Sequence, residues 1–538
     1  MRLRRSPSPV LCCLGLAACG AAHYAADADA EVANVLGQAH ERDLGQHERN
    51  VLRPEREPAP PVAPPANEPP AEPSSATPPP PPALSGQPPR RLDLQAALAT
   101  AVTQNREFLA RKEGLYESGL SIALTRFQFG PQFAAAVNYL WPRSEGGAES
   151  HQAGSSVTAS QRLPTGGQLD LDAGLTATWP FGPGSGEPSY GTSTGIRLTQ
   201  PLLRGAGRDI AWEPLTQAER NLTYAIRDFE LFREDFSIRI ARRYFELVSE
   251  RKTLANEDAN YDNAVFDRKK AEALQLVGRN SEQDVFRARR REIEAKDQLL
   301  NARAAYDRAV DSFKIELGLP TTTVIELAEA EPDYLPIEFA AESAIRCARV
   351  NRLDLITERQ RVEDVERGLR IAENGLLPDL SLTASFGTAG AAGDLGDAAP
   401  DEWNSSIGLS MSIPLQQKAQ RNAYRSSLIS LEQAKRGLQQ REDQLDLDIR
   451  DAVRQLHTFE ERIGLQLGQI EQEQRAVTVM EIRYESGDAE NRDLFEARQA
   501  LVNARNALIR LKADHFIARL NLLKDVGIFS VDDKGMWR

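Results

Sequence analysis

The segment Gly-Thr-Ser-Thr-Gly at 191–195 has the residue types and spacing that could perform covalent chemistry. A serine in a Gly-x-Ser-x-Gly turn acts as an acyl-transfer nucleophile where a buried strand precedes it and a helix follows it. Here no apolar strand precedes the segment, and the residues after it alternate like a strand. The chain has no His-Glu-x-x-His or phosphate-binding Gly-rich motif, and its six histidines and four methionines are scattered. The sequence therefore predicts no enzyme, no cofactor and no metal site.

Two carboxylates one helical turn apart, Asp493 and Glu496, are the other pair with chemical potential. The positive end of the helix dipole favours acidic side chains in the first helical turn, so capping is the simplest role for Asp493. The Ser281-x-x-Asp284 pattern earlier in the chain likewise fits a capping box. Capping alone does not call for two acids one turn apart, however.

The elements around these carboxylates occur twice in the chain. Gly278 matches Gly487, and Asp284 matches Asp493, with 209 residues between the members of each pair. The same offset without a gap covers some 40 residues, which is the mark of an internal duplication.

Each copy contains a long proline-free stretch, from Leu215 to Leu319 and from Leu415 to Gly527. The pattern predicts two helices in each copy that reverse at Gly278 and at Gly487. The first helix would be about 64 residues and roughly 95 Å long. Its apolar residues step by three and four, which predicts a coiled-coil seam. The seam comprises Ala218, Leu222, Ala225, Phe229, Phe232, Phe236, Ile240, Tyr244 and Leu247.

Alternating sequence precedes each helical pair and predicts strands of about ten residues. Copy two has one such pair, in the segments DLSLTASF and SIGLSMSIPL, and copy one has a similar pair. Copy one also contains an extra hairpin, Ser155 to Trp179, around a Pro-Thr-Gly-Gly turn. Aromatic residues near the strand ends fit a membrane barrel, and a soluble sandwich is the alternative. Because four to six strands cannot close a barrel alone, the barrel interpretation requires an oligomer.

The N-terminus predicts export from the cytoplasm. Three arginines precede a short apolar run that ends in Leu-Ala-Ala-Cys19, the layout of a signal peptide, and these last residues resemble a bacterial lipobox. Lipidation of Cys19 would leave Cys347 as the single thiol of the mature chain, which excludes an intramolecular disulfide. From Pro54 to Pro89 there are 16 prolines, which predict an extended linker. The net charge of −13 argues against nucleic-acid binding.

The duplicated helices and strands, the Pro201-Leu202 and Pro414-Leu415 pairs after the second strands, and the Gly-to-Asp-x-Phe-x-Ala turns resemble TolC-type outer-membrane efflux proteins. The resemblance implies an α+β membrane protein built from two internal repeats. Three chains would form a transmembrane β-barrel continued by a long α-helical coiled-coil tunnel in the periplasm. It implies a homotrimer in the outer membrane of a Gram-negative bacterium, which joins a periplasmic adaptor (membrane fusion) protein to an inner-membrane pump.

The domain boundaries follow from these patterns. We expect a lipoprotein signal peptide at 1–18, a disordered Pro-rich linker at 19–91, the first repeat at 92–319, an equatorial connector at 320–340, the second repeat at 341–527 and a C-terminal tail at 528–538.

The resemblance also implies where the gate and the docking tips lie. Asp493 and Glu496 would line the closed periplasmic mouth, where rings of carboxylates hold cations and repel anions. Asp284 and Tyr484 would form a latch, but the family's latch arginine is replaced by Ala489, so Arg279 or Arg492 is left to substitute. The adaptor-docking tips would be Val277, Gly278, Arg279, Ser486, Gly487 and Asp488.

Two questions stay open at this stage. A lipid-anchored periplasmic coiled coil that tethers the envelope without conducting is the alternative function, although a tether has no use for strands with an apolar face. The extra hairpin either stands outside the cell above a twelve-stranded barrel or adds two wall strands per chain, which gives eighteen per trimer. The short Pro-Thr-Gly-Gly turn favours the wall, because outer-membrane barrels have short periplasmic turns and longer external loops.

Overall fold

The computed structural model describes residues 21–44, 90–141, 149–181, 186–278, 281–328, 340–486, 488–489 and 491–537. These residues form two compact units. Unit 1 consists of the described residues within 1–47, 114–227 and 357–440, and unit 2 of those within 48–113, 228–356 and 441–538. Within the described ranges, none of the helices combines the length and the apolar character needed to span a membrane. Cys19, Arg279 and Gly487 lie outside the described residues.

The described helices include the predicted long helix and return helix in each half of the chain. They are α1 (Ala21–Leu44), α2 (Leu94–Gln104), α3 (Arg106–Phe129), α4 (Arg208–Ala211), α5 (Glu213–Leu276), α6 (Glu282–Glu316), α7 (Ala341–Asn351), α8 (Leu353–Asn374), α9 (Lys418–Ser486) and α10 (Asn491–Val526). Helix α5 has 64 residues and α9 has 69, which confirms the prediction of unusually long helices.

Unit 1 contains one antiparallel sheet of six strands. They are β2 (Gln132–Leu140), β3 (Glu149–Arg162), β4 (Gln168–Phe181), β5 (Ser189–Pro201), β7 (Asp379–Ala392) and β8 (Glu402–Ser412), in that spatial order. Two further short strands, β1 (Arg90–Leu92) and β6 (Ile325–Leu327), pair in parallel in unit 2, so β6 forms part of the expected connector at 320–340.

The register of the six-stranded sheet places the predicted apolar residues on one face. Directly opposed residues of antiparallel strands share a face, and every second residue along a strand returns to it. Leu171 of β4 is opposite Ala159 of β3 and Ile196 of β5, and Ile196 is opposite Phe386 of β7. The other face carries Ser, Thr, Gly and charged residues, such as Asp170 opposite Arg197. The sheet therefore has one largely apolar and one largely polar surface.

The extra hairpin is part of this sheet, as the wall interpretation requires. Strands β3 and β4 lie between β2 and β5, so the first and last strands of copy one do not pair with each other. The hairpin turn lies next to the segment that leads from β5 into α4. Thr165 accepts a hydrogen bond at its carbonyl from the Gly207 N–H (3.0 Å), and a Cβ added to Gly166 (φ +90°) would lie 2.3 Å from the Gly205 carbonyl oxygen. The turn thus lies at the helical end of the sheet.

We expect the two ends of the hairpin to differ in accessibility on intact cells. In a Cys347→Ser background, an impermeant thiol reagent should label Gly186→Cys, which follows β4 at the far end of the sheet, and miss Thr165→Cys in the turn at the helical end. The readout is labelled protein from whole cells, and labelling after lysis is the control for thiol reactivity. Equal labelling of both positions in intact cells would contradict the wall arrangement.

The predicted coiled-coil seam lies on α5, and this α5 seam packs as predicted. Phe236 has 1% of its surface exposed, and its ring centroid lies 5.1 Å from that of Phe108 in α3 and 5.7 Å from that of Phe232. Tyr244 is fully buried and contacts Phe313 of α6 edge-on at 6.2 Å between ring centroids. These aromatic contacts belong to unit 2 and form a core in which α5 is the central helix.

The prediction of a disordered linker over 19–91 is wrong for Ala21–Leu44, which form α1, and for Arg90, which pairs in β1. Val32 and Leu36 of α1 are 0% and 2% exposed. Arg227, itself only 4% exposed, donates two hydrogen bonds of 2.7 and 2.5 Å to the Asp43 carboxylate near the end of α1. Apolar burial and this bidentate pair stabilise a segment that composition alone groups with its proline-rich neighbour.

Candidate functional site

The first reversal lies between α5 and α6 and exposes apolar residues. Gly278 has a φ of +71°, a conformation that L side chains rarely adopt, and its N–H donates to the Gln275 carbonyl at 2.9 Å. Leu276 is 89% exposed and Val277 is 67% exposed. The predicted tip residues of the first copy thus end the helix with apolar side chains in solvent.

Asp284 forms the capping box that its spacing predicts. Its carboxylate accepts hydrogen bonds from the Ser281 N–H at 3.1 Å and the Ser281 hydroxyl at 2.6 Å, and the Asp284 N–H donates to Ser281 Oγ at 3.2 Å. Arg287 lies one turn further along α6 at 3.7 Å from the same carboxylate. The hydrogen bonds and the helix dipole therefore both favour an aspartate at this position of α6.

The second reversal brings Ser486 and Asp488 together at the end of α9. The Ser486 hydroxyl donates to Asp488 Oδ2 at 3.0 Å, and the Asp488 N–H donates to the Arg483 carbonyl at 2.8 Å. Tyr484, the predicted latch residue, lies beneath the Lys270 ammonium of α5, which is 5.0 Å from its ring centroid. Lys270 is also 3.9 Å from the Glu485 carboxylate. These contacts join the ends of α5 and α9.

Asp493 and Glu496 lie at the start of α10 and share one arginine. Arg492 is 3.8 Å from the Asp493 carboxylate and 3.6 Å from that of Glu496, and all three side chains are at least 40% exposed. Exposed pairs at these distances contribute little to stability, about 0–1 kcal/mol. Arg492 therefore pairs with the predicted gate acids of its own helix, and both carboxylates remain open to solvent.

An ion network around one buried carboxylate, which the sequence analysis missed, joins three helices behind these residues. Arg498 of α10 donates to Asp267 of α5 at 2.6 Å and to Glu481 of α9 at 2.9 Å. The Asp267 side chain is only 5% exposed. Burial raises the pKa of Asp267, and the charge and hydrogen bond of Arg498 oppose that rise.

The duplication contained a signal for this network. Arg498 matches Arg289 at the offset of 209, and Glu481 matches Glu272 at the same offset. Arg289 of α6 binds Glu272 of α5 at 2.9 Å, as Arg498 binds Glu481. Each helical hairpin thus carries one Arg–Glu pair at a separation of 17 residues. The additional contact to Asp267 has no sequence signature, because it depends on how α5 packs against α10.

A basic groove lies between α6 and α10 beside the gate acids. Arg287, Arg290 and Arg291 line it from α6, and Arg492 lines it from α10, around a cavity of about 490 Å³. Glu294 and Glu496 are the acidic residues in the lining, and Arg290 lies 3.3 Å from Glu294. The lining of this groove therefore has an excess of positive charge.

Comparison with known proteins matches residues 344–527 to the family described as outer membrane efflux protein. Outer membrane protein TolC of Escherichia coli strain K12 is 24% identical over 393 residues, which cover 69% of this chain and 76% of that protein. The crystal structure of VceC from Vibrio cholerae has a TM-score of 0.60 at 16% identity and covers 81% of this chain and 96% of that one. The Campylobacter jejuni CmeC outer membrane channel has the same TM-score at 15% identity, with 81% and 85% covered.

These matches make the chain similar to TolC-type outer-membrane efflux proteins. The matched region contains the second helix, strand and long-helix series, and the structural likeness extends the fold to both halves of the chain. Its relatives are outer-membrane channels and not enzymes, in agreement with the absence of a catalytic motif in the sequence. The matches agree with the resemblance stated from the residues.

Proposed function

We propose that three copies of this TolC-type protein form the passive outer-membrane duct of a tripartite efflux or type I secretion system. The observation that carries this proposal is a six-stranded sheet with one largely apolar face in a chain that also has helices of 64 and 69 residues. A lipid-facing wall needs such a face, whereas a periplasmic tether does not.

The edges of the sheet support the trimer. Strand β2 at one edge and β8 at the other are exposed along almost their whole lengths, including Val137 at 72% and Ile407 at 83%. The sheet has an even number of antiparallel strands, so β2 of one copy runs antiparallel to β8 of the next. Three copies joined in this way close without a free edge, which an open sheet in a bilayer requires. The closed wall has eighteen strands.

The gate proposal assigns Asp493 and Glu496 to the periplasmic mouth, with Asp284 and Tyr484 as its latch. The exposure of both α10 carboxylates supports the assignment, since ions in a channel must reach them. Asp284 caps α6 in each chain of the trimer, so its latch contact would have to coexist with its hydrogen bond to Ser281.

Neutralising the gate is expected to weaken cation block. In Asp493→Asn with Glu496→Gln, a trivalent cation should need a roughly tenfold higher concentration, or more, to block half of the conductance. The reason is that about 1.4 kcal/mol of lost attraction corresponds to one factor of ten in affinity. The measurement is single-channel current in planar bilayers. Asp258→Asn with Asp262→Asn, two exposed acids one turn apart on α5, is the matched control. Unchanged block would return both gate residues to capping, and a protein without any conductance would favour the tether.

The tip proposal assigns Val277, Gly278, Arg279, Ser486, Gly487 and Asp488 to docking of the periplasmic adaptor. Exposed Leu276 and Val277 supply apolar contact area, and the adjacent basic groove favours an acidic partner surface. The inner-membrane pump would contact the assembly through this adaptor, and the pump would set the transported substrate.

The anchoring proposal assigns lipidation to Cys19, which begins the mature chain two residues before α1. Cys19→Ser should abolish incorporation of labelled palmitate and leave the precursor uncleaved. Oligomers should still form, because the barrel itself holds the protein in the membrane. Palmitate in the variant would refute the site, and loss of the oligomer would make the lipid, and not the barrel, the main anchor.

A further inference from the structure

A small cavity in unit 2 lies among α5, α9 and α10, far along the chain from the two reversals. Its volume is about 230 Å³. Phe245 and Val248 of α5, Ile470 of α9, and Leu508 and Ile509 of α10 form its apolar surface. Cavities for drug-sized ligands measure about 300–1,000 Å³, so this one suits a smaller molecule.

The charged residues of the cavity all have one sign. Lys252 lines it from α5, and Arg505 and Lys512 line it from α10. No acidic residue contributes to the described lining, although the whole chain has a net charge of −13. Three cations beside an apolar surface, in an acidic protein, favour a ligand that is both anionic and apolar.

Ser249 provides an independent indication of a ligand. It lines the cavity and is only 4% exposed, and its hydroxyl has no hydrogen-bond partner among the described residues. Serine within a helix commonly donates to the carbonyl four residues earlier, as Ser237 of the same helix does to Arg233 at 2.9 Å. A buried hydroxyl without a partner destabilises the folded protein, and an acceptor on a ligand would remove that cost.

We propose that this cavity binds a short single-chain carboxylate, with its hydrocarbon tail on the apolar surface and its head accepting hydrogen bonds from Ser249, Lys252 and Lys512. The apolar surface disfavours inorganic phosphate, which has no tail to bury. The volume suits one short acyl chain better than two. Because residues of α5 and α10 share the ligand, its binding stabilises the packing of the first-copy helices against the second-copy helices.

Octanoate is the probe for the experiment, and the full-length protein in phosphatidylcholine nanodiscs is the sample. Isothermal titration calorimetry should show saturable binding at one octanoate per chain. Lys252→Gln with Lys512→Gln should weaken this binding by about tenfold or more, since a hydrogen bond to a charged group contributes about 1.5–3 kcal/mol. Lys269→Gln, an exposed lysine of α5 outside the cavity, is the matched control and should leave octanoate affinity unchanged.

Ser249→Ala removes the hydroxyl with little change in volume, so it should weaken octanoate binding while the ligand-free protein keeps or gains thermal stability.

Octanol tests the role of the ligand's charge, and acetate tests the role of its hydrocarbon tail. Both should bind at least about tenfold more weakly than octanoate. Equal affinity for octanoate and octanol, or unchanged affinity in the double lysine variant, would overturn the proposal. An absence of binding to the wild-type assembly would also overturn it and would indicate that a neighbouring copy fills the cavity. Conductance is measured separately, so failure of this site leaves the channel function untouched.

Discussion

Phe236→Asp is expected to abolish the folded oligomer. Phe236 is 1% exposed and contacts the rings of Phe108 and Phe232 in the core of unit 2. Losing a buried phenylalanine costs about 3–5 kcal/mol, and an unpaired buried carboxylate adds several more. Together these exceed the lower part of the usual 5–15 kcal/mol of total stability. The measurement is the heat-sensitive oligomer band on a mild detergent gel of solubilised outer membranes.

Lys269→Asp is the control for this variant. It introduces the same carboxylate on the same helix, but at an exposed position, where substitutions change stability by about 0.5 kcal/mol or less. The control oligomer should match that of the wild type. A normal oligomer from Phe236→Asp would mean that the α5 seam is not the core that the packing of unit 2 indicates.

The regular elements could be predicted because each of them repeats a pattern along the chain. The spacing of Phe229, Phe236 and Tyr244 predicts the buried stripe of α5, and all three are buried. The alternation from Leu169 to Trp179 predicts β4 and its apolar face, and the register of the sheet confirms both. Such patterns show which face of an element is buried, because that face recurs every two residues in a strand and about every 3.6 residues in a helix.

The position of the extra hairpin could be stated only as two alternatives. The residues of β3 and β4 fit either a wall or an external hairpin, since both have alternating faces. The decision came from contacts between residues distant in sequence, namely β2 with β3 and β4 with β5, and from the turn at Thr165 against Gly207. Strand order depends on tertiary pairing, which local alternation does not encode.

Helix α1 and the Arg498 network were missed for a related reason. Composition averages over a window, so the prolines after position 54 obscured a helix whose burial depends on Val32, Leu36 and the Asp43–Arg227 pair. The partner of Arg498 on α5 is 231 residues away, and no periodicity connects the two. Single long-range ion pairs leave no pattern in the sequence unless the duplication repeats them, as it does for Glu481.

Among the ion pairs near the two helix reversals, the Arg498–Asp267 pair is expected to contribute most to stability. Arg498→Gln leaves the Asp267 carboxylate, which is 5% exposed, without its principal cation. Breaking a buried pair on one side costs about 3–5 kcal/mol. Arg289→Gln is the matched control, because it removes the equivalent Arg–Glu pair of the first copy, where Arg289 is 54% exposed and Glu272 is 30% exposed. That change should cost about 1 kcal/mol or less.

The pH dependence of Arg498→Gln gives the test a second, independent readout. Burial already raises the pKa of Asp267 above its ordinary value, and loss of the opposing arginine raises it further. A carboxyl whose pKa is higher in the folded state than in the unfolded state stabilises the fold at low pH and loses that contribution as the pH rises through the folded-state pKa. The stability of Arg498→Gln should therefore be closest to that of the wild type in acid and fall below it as the pH rises.

Adding Asp267→Asn removes the buried charge, so the double variant should recover most of the lost stability at neutral pH and show no such pH dependence. The measurement is urea unfolding of the full-length protein at several pH values, for the wild type, Arg498→Gln, Asp267→Asn and the double variant. Equal losses in Arg498→Gln and Arg289→Gln, or a pH-independent deficit in Arg498→Gln, would show that the Asp267 contact does not stabilise the packing of α5 against α10.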